Sequence, residues 1–226
     1  MILIIGASGG IGQHLVKQFV EGGYKVAGTY NQNKCESLPS NSFVQLDITD
    51  SDAVESWFNQ IKDSLEKITV INCVGINYNC FGHKAEQAQW EAVVNVNLCG
   101  TFNIIRAILP FMRAQKYGRI INLSSIVPQI GVIGTSAYAA SKSGLWGMTK
   151  SLVKENAALG ITINNLNLGY IDAGMINDIP SNVLDSTRKM IPAKRFGLPS
   201  EIYEVIKMLI KVEYINASNI DVNGGI

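Results

Sequence analysis

Charge is scarce in this chain: 16% of its 226 residues are Asp, Glu, Lys or Arg. The 19 basic and 18 acidic residues are scattered, leaving a formal net charge of +1 and no basic block. Binding a nucleic acid or an anionic membrane requires such a block, so neither is an expected partner. Histidine is nearly absent. His14 and His83 lie far apart with no ligand-like spacing around them, so no metal site is expected. The four cysteines, Cys35, Cys73, Cys80 and Cys99, form no C-x-x-C pair, and three fall in or beside apolar segments. That is the usage of reduced thiols, and a cytoplasmic protein is expected. The first five residues are apolar, but they lack a basic flank and run at once into glycines. Neither a signal peptide nor a membrane span is expected there. Linkers and internal repeats are missing too, which implies one domain over 1–226.

What the chain does have is alternation. Strand-like runs at 1–5, 25–30, 42–46, 68–73, 118–124, 161–167 and 219–222 alternate with helical patterns at 10–21, 50–65, 86–114, 136–159 and 199–211. Strands separated by helices imply βαβ crossovers, a parallel sheet and helices on both faces. The expected architecture is α/β, a Rossmann-like doubly wound parallel sheet of about seven strands. The longest irregular stretch, 168–198, follows the sixth strand and so lies at the carboxyl edge of the sheet. Open α/β sheets bind ligands at that edge, which favours a mobile substrate lid over a plain loop with a short helix. Its apolar residues Met175, Ile176, Ile179, Pro180, Val183 and Leu184 suit a hydrophobic ketone or an acyl thioester, or else pack on the protein itself.

The first strand, Met1-Ile2-Leu3-Ile4-Ile5, runs directly into Gly6-Ala7-Ser8-Gly9-Gly10-Ile11-Gly12, and an amphipathic helix follows. A helix N-terminus presents free N–H groups and a positive dipole end, so a phosphate sits well there. Glycines at this spacing let the backbone turn sharply and let a pyrophosphate approach closely. Glycines also serve plain strand-to-helix turns. Their place at the first strand of an α/β pattern selects the dinucleotide reading.

Tyr138-Ala139-Ala140-Ser141-Lys142 puts Tyr138 and Lys142 at i and i+4, on one helix face. A nearby ammonium favours tyrosinate, so Lys142 is expected to lower the Tyr138 pKa and make it a general acid or base. An amphipathic tyrosine beside a solvated lysine would look the same in isolation. Leu123-Ser124-Ser125 ends the fifth strand at the same carboxyl edge. Ser125 is the expected hydrogen-bond donor to a substrate oxygen, with Ser124 as the competing candidate.

With these residues in place the chain resembles the short-chain dehydrogenase/reductase family from end to end, most of all the 3-oxoacyl-[acyl-carrier-protein] reductases. The family's glycine motif matches Gly6, Gly10 and Gly12. Its Asn-Asn-Ala-Gly motif appears as Asn72-Cys73-Val74-Gly75, its catalytic asparagine as Asn97, and its serine, tyrosine and lysine as Ser125, Tyr138 and Lys142. Its Pro-Gly motif appears as Leu168-Gly169, followed by Tyr170-Ile171, and Asp221-Val222-Asn223-Gly224-Gly225 is similar to its closing strand and turn. The chain departs from the family at Ile5, Cys73, Val74, Leu168 and Ala173. Leu159 stands where carrier-protein-dependent relatives tend to have arginine, leaving Lys116 as the basic candidate for docking an acyl carrier protein.

The resemblance implies hydride transfer between a nicotinamide cofactor and a carbonyl or alcohol, with Ser125 holding the oxygen and Tyr138 moving the proton. Lys142 holds the ribose, and Asn97 anchors a water beside Lys142. Cofactor contacts are implied for Gly6, Ser8, Gly9, Gly10, Ile11, Gly12, Asn72, Cys73, Gly75, Gly169 and the main chain of Ile171. Asp47 and Ile48 would frame the adenine. NAD-preferring members carry an acid at the end of the second strand. Here Thr29-Tyr30-Asn31-Gln32-Asn33-Lys34 has none, which favours NADP(H) over NAD(H) and leaves Asn31, other polar side chains and Lys34 to meet a 2′-phosphate. A nicotinamide-binding regulator without turnover would have a broken Ser/Tyr/Lys set, and this one is complete. An extended relative with a C-terminal substrate domain is not expected of a chain ending at Ile226. The helices at 86–114 and 136–159 carry more apolar residues than one buried face needs, so a homotetramer, or failing that a homodimer, is expected.

Overall fold

The computed structural model describes residues 1–32, 42–174, 176 and 181–226, with the backbone alone for 181–183. Seven strands form one sheet in the order β3-β2-β1-β4-β5-β6-β7. They are β1 (Ile2–Ile5), β2 (Val26–Tyr30), β3 (Phe43–Gln45), β4 (Thr69–Asn72), β5 (Gly118–Ser125), β6 (Ile161–Leu168) and β7 (Asn219–Val222). Every pairing is parallel. A parallel sheet is covered on both faces, and β1 reads as an unbroken apolar run. All four residues of β1 are buried.

Alternate residues of the strands feed two cores. Leu3, Ile5, Val70 and Ile120 pack with α2 (Ser51–Ile61), α4 (Thr101–Gln115) and α6 (Ser136–Asn156). Ile2, Ile4, Ile71 and Ile121 pack with α1 (Gly10–Glu21) and α8 (Pro199–Lys211). The expected α/β sheet with helices on both faces is therefore present. Asp50 caps α2, accepting from the Asp52 and Ala53 amides, which satisfies two of the free donors at that helix end.

Two expectations needed adjustment. The single helix expected over 86–114 is α3 (Gln87–Val94) and α4 joined through a π-helical segment, Asn95–Gly100, which inserts an extra residue into the turn. The stretch 168–198, read as irregular, contains α7 (Ser181–Met190), whose Leu184 packs against Ile176, Ile191 and Phe196. A short helix, α5 (Val127–Ile130), follows β5 directly.

The amino-terminal edge of the sheet is fastened by Arg119, 1% exposed. Its guanidinium donates to the carbonyls of Ile210, Gly118 and Gly160, pairs with Glu213, and lies 4.3 Å from the centre of the Tyr117 ring. Part of the sheet under α6 is polar. Asn122 donates to Asn165 at 3.1 Å, Asn165 donates to Asn219 at 2.8 Å, and Thr149 of α6 donates to Asn165 at 3.1 Å.

Candidate active site

The carboxyl ends of β1, β4, β5 and β6 open onto one edge, and the residues singled out above gather there. At the end of β1, Gly6 holds φ +80°, a conformation glycine adopts without strain. A Cβ on Gly12 would collide with the Gly6 carbonyl, and one on Gly10 with the main chain of Gly174. Ser8 sits in the turn, where its carbonyl accepts from Gln13 at 2.6 Å. Gly9 is the N-cap of α1 and contributes no side-chain cap, and no acid stands in the first turn. The helix thus meets the edge with its amide dipoles uncompensated by a capping side chain or a first-turn acid, with Ile11 inside its first turn. A bare helix N-terminus behind tightly packed glycines fits a dinucleotide's pyrophosphate.

Asn72 shapes the exit of β4. Its amide donates to Thr101 Oγ1 at 2.6 Å and its carbonyl oxygen accepts from Val74 N–H at 3.1 Å. Asn97, fully buried in the π-helical segment, spans the Ile76 main chain in both directions at 2.8 and 2.9 Å and donates to Ser141 Oγ at 3.0 Å. Ser141 in turn donates to the Tyr138 carbonyl at 2.8 Å. Sequence reading passed over Ser141, although it lies between Tyr138 and Lys142 on the same helix. Its signal is the i+3 spacing from Tyr138.

Lys142 is 3% exposed, and its ammonium donates to the carbonyls of Leu123 at 2.8 Å and Val74 at 3.3 Å. Its nitrogen lies 5.8 Å from the centre of the Tyr138 ring. A Cβ on Gly75 would stand 3.2 Å from Lys142 Nζ and 3.8 Å from Asn97 Oδ1, so the missing side chain leaves a small cradle between these two groups. That cradle fits a ribose hydroxyl or a water.

The two serines part company. Ser124 is drawn into the sheet, donating to the Lys142 carbonyl and accepting from Trp146. Ser125 accepts from Val127 N–H at 3.1 Å and shares a hydrogen bond with the Tyr138 hydroxyl. Geometry therefore brings Ser125, rather than Ser124, to the tyrosine.

Burial sets the electrostatics. Desolvation lowers Lys142 to about 8 from its ordinary 10.5, against a smaller upward pull from Cys73. Burial pushes the Cys73 thiol up to about 12, so it is neutral near pH 7. Tyr138 departs from expectation: burial raises its pKa, and the hydrogen bond from Ser125 offsets only part of the rise. The Lys142 ammonium is turned to two carbonyls instead of the phenol.

The remaining sequence candidates lie around this centre. Asp47 is exposed and its carboxylate accepts from the Thr49 amide and hydroxyl at 2.9 and 2.7 Å. Ile48 is buried, 5% exposed, with its side chain against Gly100. Asn31 is exposed just beyond β2. Gly169 packs on Asn223 with no room for a Cβ, and Ile171 forms a parallel bridge with Gly197. Lys34, Met175, Ile179, Pro180 and the Val183 side chain lie outside the described residues.

A family model described as short chain dehydrogenase matches residues 1–183. The acetoacetyl-CoA reductase of Shinella zoogloeoides is 36% identical over 232 residues, covering 99% of this chain and 96% of that protein. The 3-oxoacyl-[acyl-carrier-protein] reductase FabG of Staphylococcus epidermidis is 34% identical over 236 residues, covering 99% and 97%. The FabG of Thermotoga maritima is 33% identical over 237 residues, covering 99% and 96%.

The buried ammonium carries a measurable pH signature. In the folded protein Lys142 releases its proton near pH 8, whereas the unfolded chain keeps it until about pH 10.4. Between those values the unfolded state binds more protons, so stability rises with pH. Wild type is expected to gain stability relative to Lys142→Met as pH rises through this window, read from denaturant midpoints at each pH. Parallel pH curves for the two proteins would contradict the desolvated ammonium.

Proposed function

The chain belongs to the short-chain dehydrogenase family, and from that premise we propose that it is an NADP(H)-dependent reductase of 3-oxoacyl thioesters. One observation carries the reading: Ser125, Tyr138 and Lys142 converge at the carboxyl edge of the sheet, beside a bare helix N-terminus. The names of the relatives supply the substrate class, acetoacetyl-CoA in one and 3-oxoacyl groups on an acyl carrier protein in others. Leu159 stands where carrier-dependent enzymes tend to have arginine, and Lys116 is the basic candidate near the other docking position.

The nicotinamide cofactor supplies the hydride when bound. Gly6, Ser8, Gly9, Gly10, Ile11 and Gly12 would hold its pyrophosphate, Asp47 and Ile48 its adenine, and the Asn72-Cys73-Val74-Gly75 turn its adenosine side. Lys142 and Tyr138 would hold the ribose, with Gly169 and the Ile171 main chain at the far end. Ser125 Oγ–H orients the substrate carbonyl oxygen. Tyr138 keeps its proton at neutral pH because burial raises its pKa, so it is ready to donate from Oη to that oxygen. The resulting phenolate gains from the Lys142 ammonium, which is charged below about pH 8. Asn97 would anchor a water in the cradle beside Gly75; after turnover Lys142 passes a proton on to the Tyr138 phenolate and takes one back from solvent through that water.

The absence of an acid at Tyr30-Asn31-Gln32 favours NADP(H), since a carboxylate there would repel the 2′-phosphate. The 168–198 segment acts as a lid, α7 and its apolar cluster closing over the acyl chain. The protein works as a cytoplasmic homotetramer of single-domain subunits. The stretch Gln87–Gln115 supports this assembly, because its apolar residue Phe102 is 42% exposed.

Three outcomes are expected. With acetoacetyl-CoA, Tyr138→Phe should lose roughly 10²–10⁴ in turnover with little change in NADPH affinity, followed by reduced-nicotinamide absorbance. Near-normal turnover would remove Tyr138 from the mechanism. Wild type should prefer NADPH to NADH in kcat/KM, and Asn31→Asp should shift preference toward NADH. A wild-type preference for NADH refutes the cofactor assignment. Light scattering at micromolar concentration should give a tetramer, and a stable, active 24.6 kDa species would rule the assembly out.

A further inference from the structure

The catalytic helix is fastened to the sheet by a row of polar groups that apolar packing would ordinarily replace. Ser124 of β5 pairs with Asn167 of β6, and Asn167 pairs with Asp221 of β7, so the three stand side by side. Trp146 lies one helical turn beyond Lys142 on α6. Its indole N–H donates to both Ser124 Oγ and Asn167 Oδ1, each at 3.0 Å. Ser124 Oγ donates to the Lys142 carbonyl at 3.4 Å. Asn167 Nδ2 donates to Asp221 Oδ1 at 2.9 Å, and the same oxygen accepts from Gln129 Nε2 at 2.9 Å. Gln129 belongs to α5, whose first amide, that of Val127, donates to Ser125 Oγ. The row therefore runs from the helix carrying Tyr138 and Lys142, across three strands, to the turn that holds Ser125.

Apolar packing is non-directional and lets a helix slide or rotate on a sheet at little cost. Hydrogen bonds weaken steeply off axis, and a satisfied buried network specifies one arrangement. Asn167 is fully buried and Ser124 nearly so, and breaking the row would leave their polar atoms unpaired. We propose that Trp146 and Asp221 are positioning residues: through Ser124, Asn167 and Gln129 they set the placement of Tyr138 against Ser125. This rests on the reductase reading above. Neither side chain is among the groups that the proposed mechanism puts on substrate or cofactor. Their effect passes through the Ser125–Tyr138 distance, on which proton transfer depends steeply, since misplacement by about 1 Å can cost on the order of 10² in rate.

The test uses three variants of the full chain. Trp146→Phe keeps the ring and removes the N–H. Asp221→Ala removes the outer acceptor at an exposed site, and Asp221→Asn retains an Oδ1 acceptor. With acetoacetyl-CoA and NADPH, kcat should fall about tenfold in Trp146→Phe and about threefold in Asp221→Ala. KM for the thioester and Kd for NADPH should stay within about twofold of wild type. Asp221→Asn should restore kcat. Independently of activity, the Tyr138 phenol should titrate higher in Trp146→Phe than in wild type as its bond with Ser125 loosens. It is read as the tyrosinate absorbance lost in the corresponding Tyr138→Phe background. Wild-type kcat in both Trp146→Phe and Asp221→Ala overturns the proposal, as does a loss shared equally by kcat and binding. If Trp146→Phe does not fold, the exposed Asp221 pair decides. If wild type reduces no acyl thioester with either cofactor, the reductase reading fails, and the Tyr138 titration still decides the positioning claim.

Discussion

The seat of β1 between β2 and β4 is the constraint on which the rest of the molecule depends. The chain first winds outward from β1 to β3, then returns to lay β4 against the other side of β1 and continues to β7. At that reversal the connections leave in opposite directions, and a crevice opens at the carboxyl edge between them. Because all pairings are parallel, Gly6, Asn72, Ser125 and Gly169 emerge on the same rim although more than 160 residues separate the first from the last. α1 begins at the crevice because β1 ends there, which is why its dipole faces the rim. No residue of the site could keep its place if β1 paired otherwise.

Within that frame the chemistry comes from controlled desolvation. An ammonium whose partners among the described residues are two carbonyls is a poor stabiliser, because the surroundings return less than water gave. Its lowered pKa is the trace of that deficit. The same dryness keeps Tyr138 protonated and Cys73 inert. On the proposed mechanism the site holds an acid that is loaded at neutral pH beside a cation that becomes more valuable once the acid has given up its proton. The deficit is carried by two well-packed cores on either side of the sheet.

Most of the fold was legible in the sequence because parallel strands buried on both faces leave apolar runs that helices do not imitate. β1, β2 and β7 lie within the spans read from those runs. The glycine turn and the Tyr138/Lys142 spacing were legible because each is local. What was not legible is what depends on distant neighbours. The choice between Ser124 and Ser125 is made by Trp146 and Tyr138 on a helix further along the chain. The direction of the tyrosine's pKa follows from burial, which no spacing reveals. The π-helical segment at Asn95–Gly100 left no mark on the apolar pattern, yet it places Asn97. Asn165 and Asn167 read as strand residues of the wrong polarity, and only the sheet register gives them partners.

Arg119 closes the opposite rim of the sheet, where β5 begins. Its guanidinium gathers carbonyls from the starts of β5 and β6 and from the end of α8, at the rim opposite Gly6 and Ser125. Cohesion and reactivity are thereby assigned to opposite ends of the same strands. Loops on the reactive rim can diverge between relatives, changing what is recognised, while the far rim keeps the strands in register. For protein engineering the two rims are separate handles: one for thermal tolerance, the other for selectivity.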